Sequence, residues 1–300
     1  MNIAESESEI GGVSAVIVSR NDNYGGNLRE RATYCLQSAI DTFDEVIYVD
    51  WNSPGGSLLE DVRGELSFRG NLRHFVVPPD QAERWVPRET RGQLCCEVLG
   101  RNIGIRRATG EWVVSTNIDI IAPAREMFLE YLGSLDPTVF YPVSRRNVSL
   151  SAIRSFHGSD RLEYGEYERL RDHLIKEAID PIPEHPPLEG DTYSLIDCCG
   201  DFQIARREVW HALRGFEERL TGALFADTSV QKKAHFLGYG LKAILDLPVF
   251  HIDHGKGGGG MHEGEGRLVN DREDAIFRQE ASRNGEDWGM MREELTEVRC

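Results

Sequence analysis

Val13-Ser14-Ala15-Val16-Ile17-Val18-Ser19 is a short apolar, largely β-branched run that stops at Arg20-Asn21-Asp22-Asn23 and Gly25-Gly26. A run of this kind bounded by turn formers is a strand entering a loop. Apolar residues then recur at Leu28, Ala32, Leu36, Ala39, Ile40 and Phe43, the three-and-four spacing of a helix that buries one face. A second strand follows at Glu45–Val49 and closes on Asp50-Trp51-Asn52-Ser53-Pro54-Gly55. Strand, helix and strand this close together make a right-handed parallel crossover.

Outward from this unit the alternation continues with a helix near Ser57–Leu66, a strand at Arg73–Val77, a long helix near Gly92–Arg107 and a strand at Glu111–Ser115. The fold class is therefore α/β, an open and mostly parallel central sheet flanked by helices. Ligands of such sheets bind beyond the carboxyl ends of the strands, so the loops at Arg20, Asp50 and Thr116–Asp119 are expected to converge on one crevice. No G-x-G-x-x-G follows the first strand and no G-x-x-x-x-G-K is present, which removes the main support for dinucleotide and P-loop readings.

After about residue 140 the texture changes. A strand is expected at Val139–Val143, a helical stretch at Arg161–Ile179, a proline loop around Pro181–Pro187, helices at Arg206–Leu213 and Thr228–Leu237, and a strand at Leu241–Leu245. His251-Ile252-Asp253-His254 and a glycine-rich run from Gly255 to Gly266 come next, the latter read as either a linker or a lid over the site. One domain over residues 13–255 follows, with halves at 13–120 and 121–255, an acidic tail at 1–12 and a tail at 256–300.

The chain has 300 residues, 40% hydrophobic and 9% aromatic, enough for a continuous core. Its 34 Lys and Arg against 50 Asp and Glu give a net charge of −16, which argues against nucleic-acid and anionic-membrane partners. Residues 160–201 hold much of the imbalance, twelve acids against four bases. No run of apolar residues is long enough to span a bilayer, and Met1–Gly12 has neither the basic start nor the apolar middle of a signal peptide. A cytoplasmic location is expected. The six cysteines form no C-x-x-C, so they read as small buried residues in a reducing compartment.

Chemistry concentrates at three places. Val113-Val114-Ser115-Thr116-Asn117-Ile118-Asp119 is an apolar strand ending in two oxygen-bearing side chains two residues apart, where Asp119 can bind a hard divalent cation and Asn117 a ligand hydroxyl. The alternative is an Asn and an Asp in an ordinary turn. His251 and His254 can complete a carboxylate–imidazole site with Asp119. A third segment runs from Gly200-Asp201-Phe202-Gln203 through Arg206, Arg207, Trp210 and Gly215-Phe216 to Ala226-Asp227. Asp227 opens a helix, where it is either a cap or a general base, and Trp210 is either core or the wall of an acceptor pocket.

Taken in order, Ser14–Asn23, Tyr48–Pro54, Arg101–Glu111 running into Asn117-Ile118-Asp119, the Gly215-Phe216-Glu217-Glu218 element and Asp227 resemble a GT-A glycosyltransferase of the large inverting family 2 type. The resemblance implies a nucleotide-sugar donor, with UDP-sugars first and GDP-sugars second, and an acceptor hydroxyl on a glycan or small molecule. Ser19, Arg20, Asp50 and Asn52 would hold the nucleoside, and Arg101 and Asn102 the ribose or diphosphate. Asp119 would match the last acid of the D-x-D motif and hold manganese or magnesium, with His254, or else His251, as a second ligand. Asp227 would be the base, with Asp201 and Trp210 on the acceptor side. Asn117 and Ala226 stand where the family carries acids, which keeps a catalytically silent sugar-nucleotide-binding protein in view beside a retaining transferase.

Overall fold

The computed structural model describes residues 11–86, 95–156, 166–177, 200–219, 226–254 and 284–300. The glycine-rich run, the proline loop, Cys198, Cys199, most of the acidic 160–201 stretch and nearly all of the 1–12 tail lie outside these residues.

Four strands, β1 (Val13–Ser19), β2 (Glu45–Trp51), β3 (Leu72–Val77) and β4 (Trp112–Asn117), form a parallel block in the order β3-β2-β1-β4. All seven residues of β1 are buried, as a strand covered by helices on both faces requires. Its side chains alternate between two cores: Ala15 and Ile17 share one with α1 (Leu28–Thr42), and Val16 and Val18 the other with α4 (Glu97–Arg107). Helices α2 (Leu58–Val62) and α3 (Pro79–Trp85) flank β3 in sequence.

Two glycines set how near α4 lies to the sheet. A Cβ on Gly100 would fall 2.6 Å from Val18 Cγ1, and one on Gly104 would fall 2.3 Å from Val16 Cγ1. Spaced four apart, they form a side-chain-free strip on one helix face, and a methyl at either would push α4 off β1.

The second half contains β5 (Ile120–Ile121), α5 (Arg125–Gly133), β6 (Val139–Ser149), α6 (Leu150–Phe156), α7 (Glu166–Glu177), β7 (Phe202–Arg206), α8 (Arg207–Leu213), α9 (Ala226–Phe236), β8 (Gly240–Leu241) and β9 (Ile244–Asp253). Phe202–Arg206, not anticipated as a strand, inserts antiparallel between β4 and β6. The sheet is thus parallel in its first half and mixed in its second. β6 continues past the expected end at Val143 to Ser149, pairing parallel with β9, and β5 lies antiparallel on β9.

Residues 284–300 correct the expected tail. Trp288 and Met290 are buried in the same core as α4, and β10 (Thr296–Arg299) pairs antiparallel with β3, where Arg73 Nε lies 2.7 Å from Glu297 Oε1. The complete path is β10-β3-β2-β1-β4-β7-β6-β9-β5, with β8 beside β6. Cys35, Cys95, Cys96 and Cys300 are free thiols. Among the described residues no helix is long and apolar enough to cross a membrane.

Candidate active site and metal centre

Register brings the strand ends level: Ser19 pairs with Asp50, and Val18 with Asn117. The loops expected to converge therefore leave the sheet side by side. Ser19 Oγ and Tyr48 Oη are 2.6 Å apart, and Arg20 Nε donates to Asn52 O at 2.8 Å while Nη1 meets Asp22 Oδ2 at 2.8 Å. Arg20 thereby ties the β1 loop to the β2 loop. Asn52 takes a left-handed φ of 59°, and its N–H donates to Val77 O at 2.8 Å. The Asp50 carboxylate accepts from Ser53 Oγ, and burial pushes its pKa up to about 6 despite that bond.

At the end of β4, Arg101 and Asn102 behave differently. Arg101, on the α4 face turned to β4, donates to Ser115 Oγ at 2.8 Å and to Asn117 Oδ1, and its Nη2 pairs with Glu97 at 3.1 Å. Asn102 does not face the crevice as expected. It is fully buried, with Nδ2 donating to Phe216 O at 2.9 Å and to Glu218 Oε1 at 3.0 Å, and Oδ1 accepting from Phe216 N at 2.7 Å. Its amide is consumed in fixing the loop after α8, so a role on ribose or diphosphate is withdrawn.

Asn117 is gripped from both sides. Its Oδ1 accepts from Arg101, and its Nδ2 donates to Asp201 Oδ1 at 2.7 Å. The other carboxylate oxygen of Asp201 pairs with Arg145. Asp201, expected on the acceptor side, instead returns a carboxylate next to the position where Asn117 lacks one. Trp210 is also corrected: it is wholly buried, donates Nε1–H to Val113 O at 3.0 Å, and packs on Phe140 and Phe216, leaving no face for a sugar. Arg106 lies over the Trp288 ring and Arg107 donates to the carbonyls of Gly289 and Met290, so neither arginine reaches the crevice.

Two residues past β4, Asp119 is 5% exposed and sits where β5 and β9 meet. Ile252 N–H donates to Asp119 O at 2.9 Å, which locks the turn to β9 and brings both histidines over it. His254 Nε2 lies 3.0 Å and His251 Nε2 3.8 Å from Asp119 Oδ2. One ligand atom from each of the three residues falls within 4.8 Å of the others. Burial raises the Asp119 pKa, but the hydrogen bond from His254 and the electrostatic pull of the neighbouring groups, the Arg31 guanidinium among them, outweigh it and the carboxyl is held low. Burial pushes His251 down to about 4, so its ring is neutral.

The donor set fits a borderline divalent cation. Asp119 Oδ1 is buried and has no hydrogen-bond partner among the described residues, a costly state for a carboxylate unless a cation takes it. His251 Nδ1 faces Asn147 Oδ1 at 3.0 Å, which fixes the ring proton on Nδ1 and leaves Nε2 bare toward Asp119. His251 is thus as well placed as His254, which the sequence favoured. Space for His254 comes from Gly25, where φ is +68° and a Cβ would fall 2.3 Å from His254 Nδ1.

Asp227 opens α9, and its chain lies against Gly200, where a Cβ would fall 1.8 Å from Asp227 Cβ. Its carbonyl accepts from Gln203 Nε2 at 3.1 Å. Since Gly200 adjoins Asp201, which is bonded to Asn117, Asp227 stands at the same end of the sheet as the metal centre.

Among solved structures, the chain is similar to the mannosyltransferase PcManGT from Pyrobaculum calidifontis in complex with GDP-Man and Mn2+, at 17% identity and TM-score 0.52, covering 95% of this chain and 69% of that one. It is also similar to S. aureus TarS 1-349 in complex with UDP-GlcNAc, at 16% identity and TM-score 0.52, covering 88% and 66%. The fold is that of GT-A-type glycosyltransferases. A further TarS 1-349 structure matches at 16% identity and TM-score 0.48, with this chain spanning 60% of its length. No protein-family model matches the chain, and no curated protein is similar to it in sequence.

Residues missed by sequence reasoning are Arg31, Asn147 and Gly25. Arg31 carried a signal, because it lies between Leu28 and Cys35 on the buried stripe of α1, where a charge needs a partner. Asn147 carried none: its partner comes from β9, far along the chain.

Proposed function

We propose that the protein is a glycosyltransferase that moves a sugar from a nucleotide-diphosphate sugar, UDP-linked first and GDP-linked second, to an acceptor hydroxyl. The observation that carries this reading is the Asp119–His251–His254 cluster at the end of β4, in a fold shared with glycosyltransferases. The mannosyltransferase complex with GDP-Man and Mn2+ and the TarS complex with UDP-GlcNAc support the donor class.

Asp119, His251 and His254 would hold manganese or magnesium, whose charge stabilises a departing diphosphate. Ser19, Arg20, Asp50 and Asn52 form the nucleoside side, where the Asp50 carboxylate is an acceptor for a base N–H. Arg101 and Asp201 keep the Asn117 amide in a single orientation at the floor of the crevice. Asp227 takes the proton of the acceptor hydroxyl as that oxygen bonds to the anomeric carbon and the bond to phosphate breaks on the opposite face, so the centre inverts. The acidic 160–201 stretch favours a neutral or cationic acceptor.

The test is a thermal-shift and hydrolysis screen of UDP- and GDP-sugars with Mn2+. A donor at a hundred times its dissociation constant stabilises the native state by about 2.7 kcal/mol, and slow release of nucleoside diphosphate should accompany it. A screen in which no sugar nucleotide shifts the transition or is cleaved overturns the proposal.

A further inference from the structure

Arg31 is 1% exposed, and its Nη1 lies 3.4 Å from Asp119 Oδ2, the same oxygen that faces both histidines. It cannot swing away, because its Nε donates to Gly26 O at 3.2 Å and its Nη2 donates to Tyr24 O. Both carbonyls belong to the loop that follows β1. The carboxylate most suited to a dication therefore already carries a fixed, buried, permanently charged guanidinium. Asp119 is the one carboxylate of the three-residue cluster and already faces Arg31, so a dication added here makes the pocket strongly cationic.

We infer that Arg31 is a positioning residue that couples the metal to the diphosphate. With the pocket free of donor, Arg31 pairs with Asp119 Oδ2 and repels a second cation. A diphosphate arriving at the crevice brings the negative charge that lets guanidinium and dication stand together. Metal alone binds weakly, metal and nucleoside diphosphate tighten one another, and by linkage the enhancement is equal in both directions. The structural alternative, that Arg31 only braces the β1 loop, predicts no such dependence. This inference rests on the metal-centre reading above, and its test separates the two.

Free Mn2+ is followed by electron paramagnetic resonance during titration of the full chain, with and without UDP or GDP. The wild type should bind Mn2+ at least roughly tenfold more tightly with the nucleotide than without, within the usual range for coupled sites. Arg31→Gln should bind Mn2+ alone roughly tenfold more tightly than the wild type and lose most of the nucleotide enhancement. Arg31→Lys, which keeps the charge, should retain it, and Arg31→Met, unbranched and charge-free, repeats the test if the glutamine variant does not fold. Charge-free variants that bind Mn2+ alone no better than the wild type overturn the inference. Asp119→Asn is the control: if it binds Mn2+ like the wild type, the metal centre itself is wrong, whereas loss in Asp119→Asn with no gain in Arg31→Gln removes only the coupling.

Discussion

Asn147 Oδ1 and His251 Nδ1 stand 3.0 Å apart across the parallel pairing of β6 with β9. An amide oxygen only accepts, so this contact selects the imidazole tautomer whose free lone pair points at Asp119. Asn147→Ala leaves the backbone ladder intact but releases the ring. Mn2+ affinity measured with saturating nucleoside diphosphate should fall about 10- to 100-fold, the usual cost of losing such a partner. Unchanged affinity would show that His251 needs no orienting bond.

For the base, Asp227→Asn is the direct probe. Donor binding by calorimetry should persist, while sugar transfer falls by about two to four orders of magnitude. Turnover equal to that of the wild type would remove Asp227 from the chemistry.

Gly200→Ala tests the same group without touching it. The added methyl has no room beside Asp227 Cβ, so the start of α9 must shift. Because a small misplacement of a reacting group costs about 100-fold, transfer should drop by that order while Mn2+ binding at Asp119 stays as it was. Parallel loss of metal binding would mean that the whole strand end had moved.

Asp50 gives a pH signature. Its native pKa near 6 lies above the unfolded value, so the native state binds the proton more tightly, and stability is lost as pH rises toward and through 6. Relative to the wild type, Asp50→Asn should gain stability at pH 7.5, on the order of 3 kcal/mol at most, and little at pH 4. Melting temperatures of both proteins across that range decide it. An equal difference at both ends would mean that Asp50 carries no raised pKa.

The parallel half of the sheet was legible because each step is local. Buried strands with alternating faces and a stripe at Leu28, Ala32, Leu36 and Ala39 need only neighbouring residues to be read. The positions of Asp119, just past an apolar run, and of Asp227, at a helix start, are local features and legible for the same reason. β7 escaped because Phe202–Arg206 is short and ends in an arginine that continues into α8. Asn102 and Trp210 were misplaced because their partners, Phe216 and Val113, come from distant segments, and helical spacing alone does not tell a crevice-facing side chain from a core one. The pairing of Arg31 with Asp119 spans 88 positions, beyond the reach of any local pattern.

His254 is held at Asp119, and Asn284 is pinned by Arg214 O and Phe216 O, each 2.6 Å from its Nδ2. Beyond Asn284 the chain adds the buried Trp288 and Met290 and a strand to the sheet edge. These contacts tie residues 284–300 into the core and the sheet edge. A chain shortened to end before Asn284 should leave the α4 core and the β3 edge uncovered and melt well below the full-length protein.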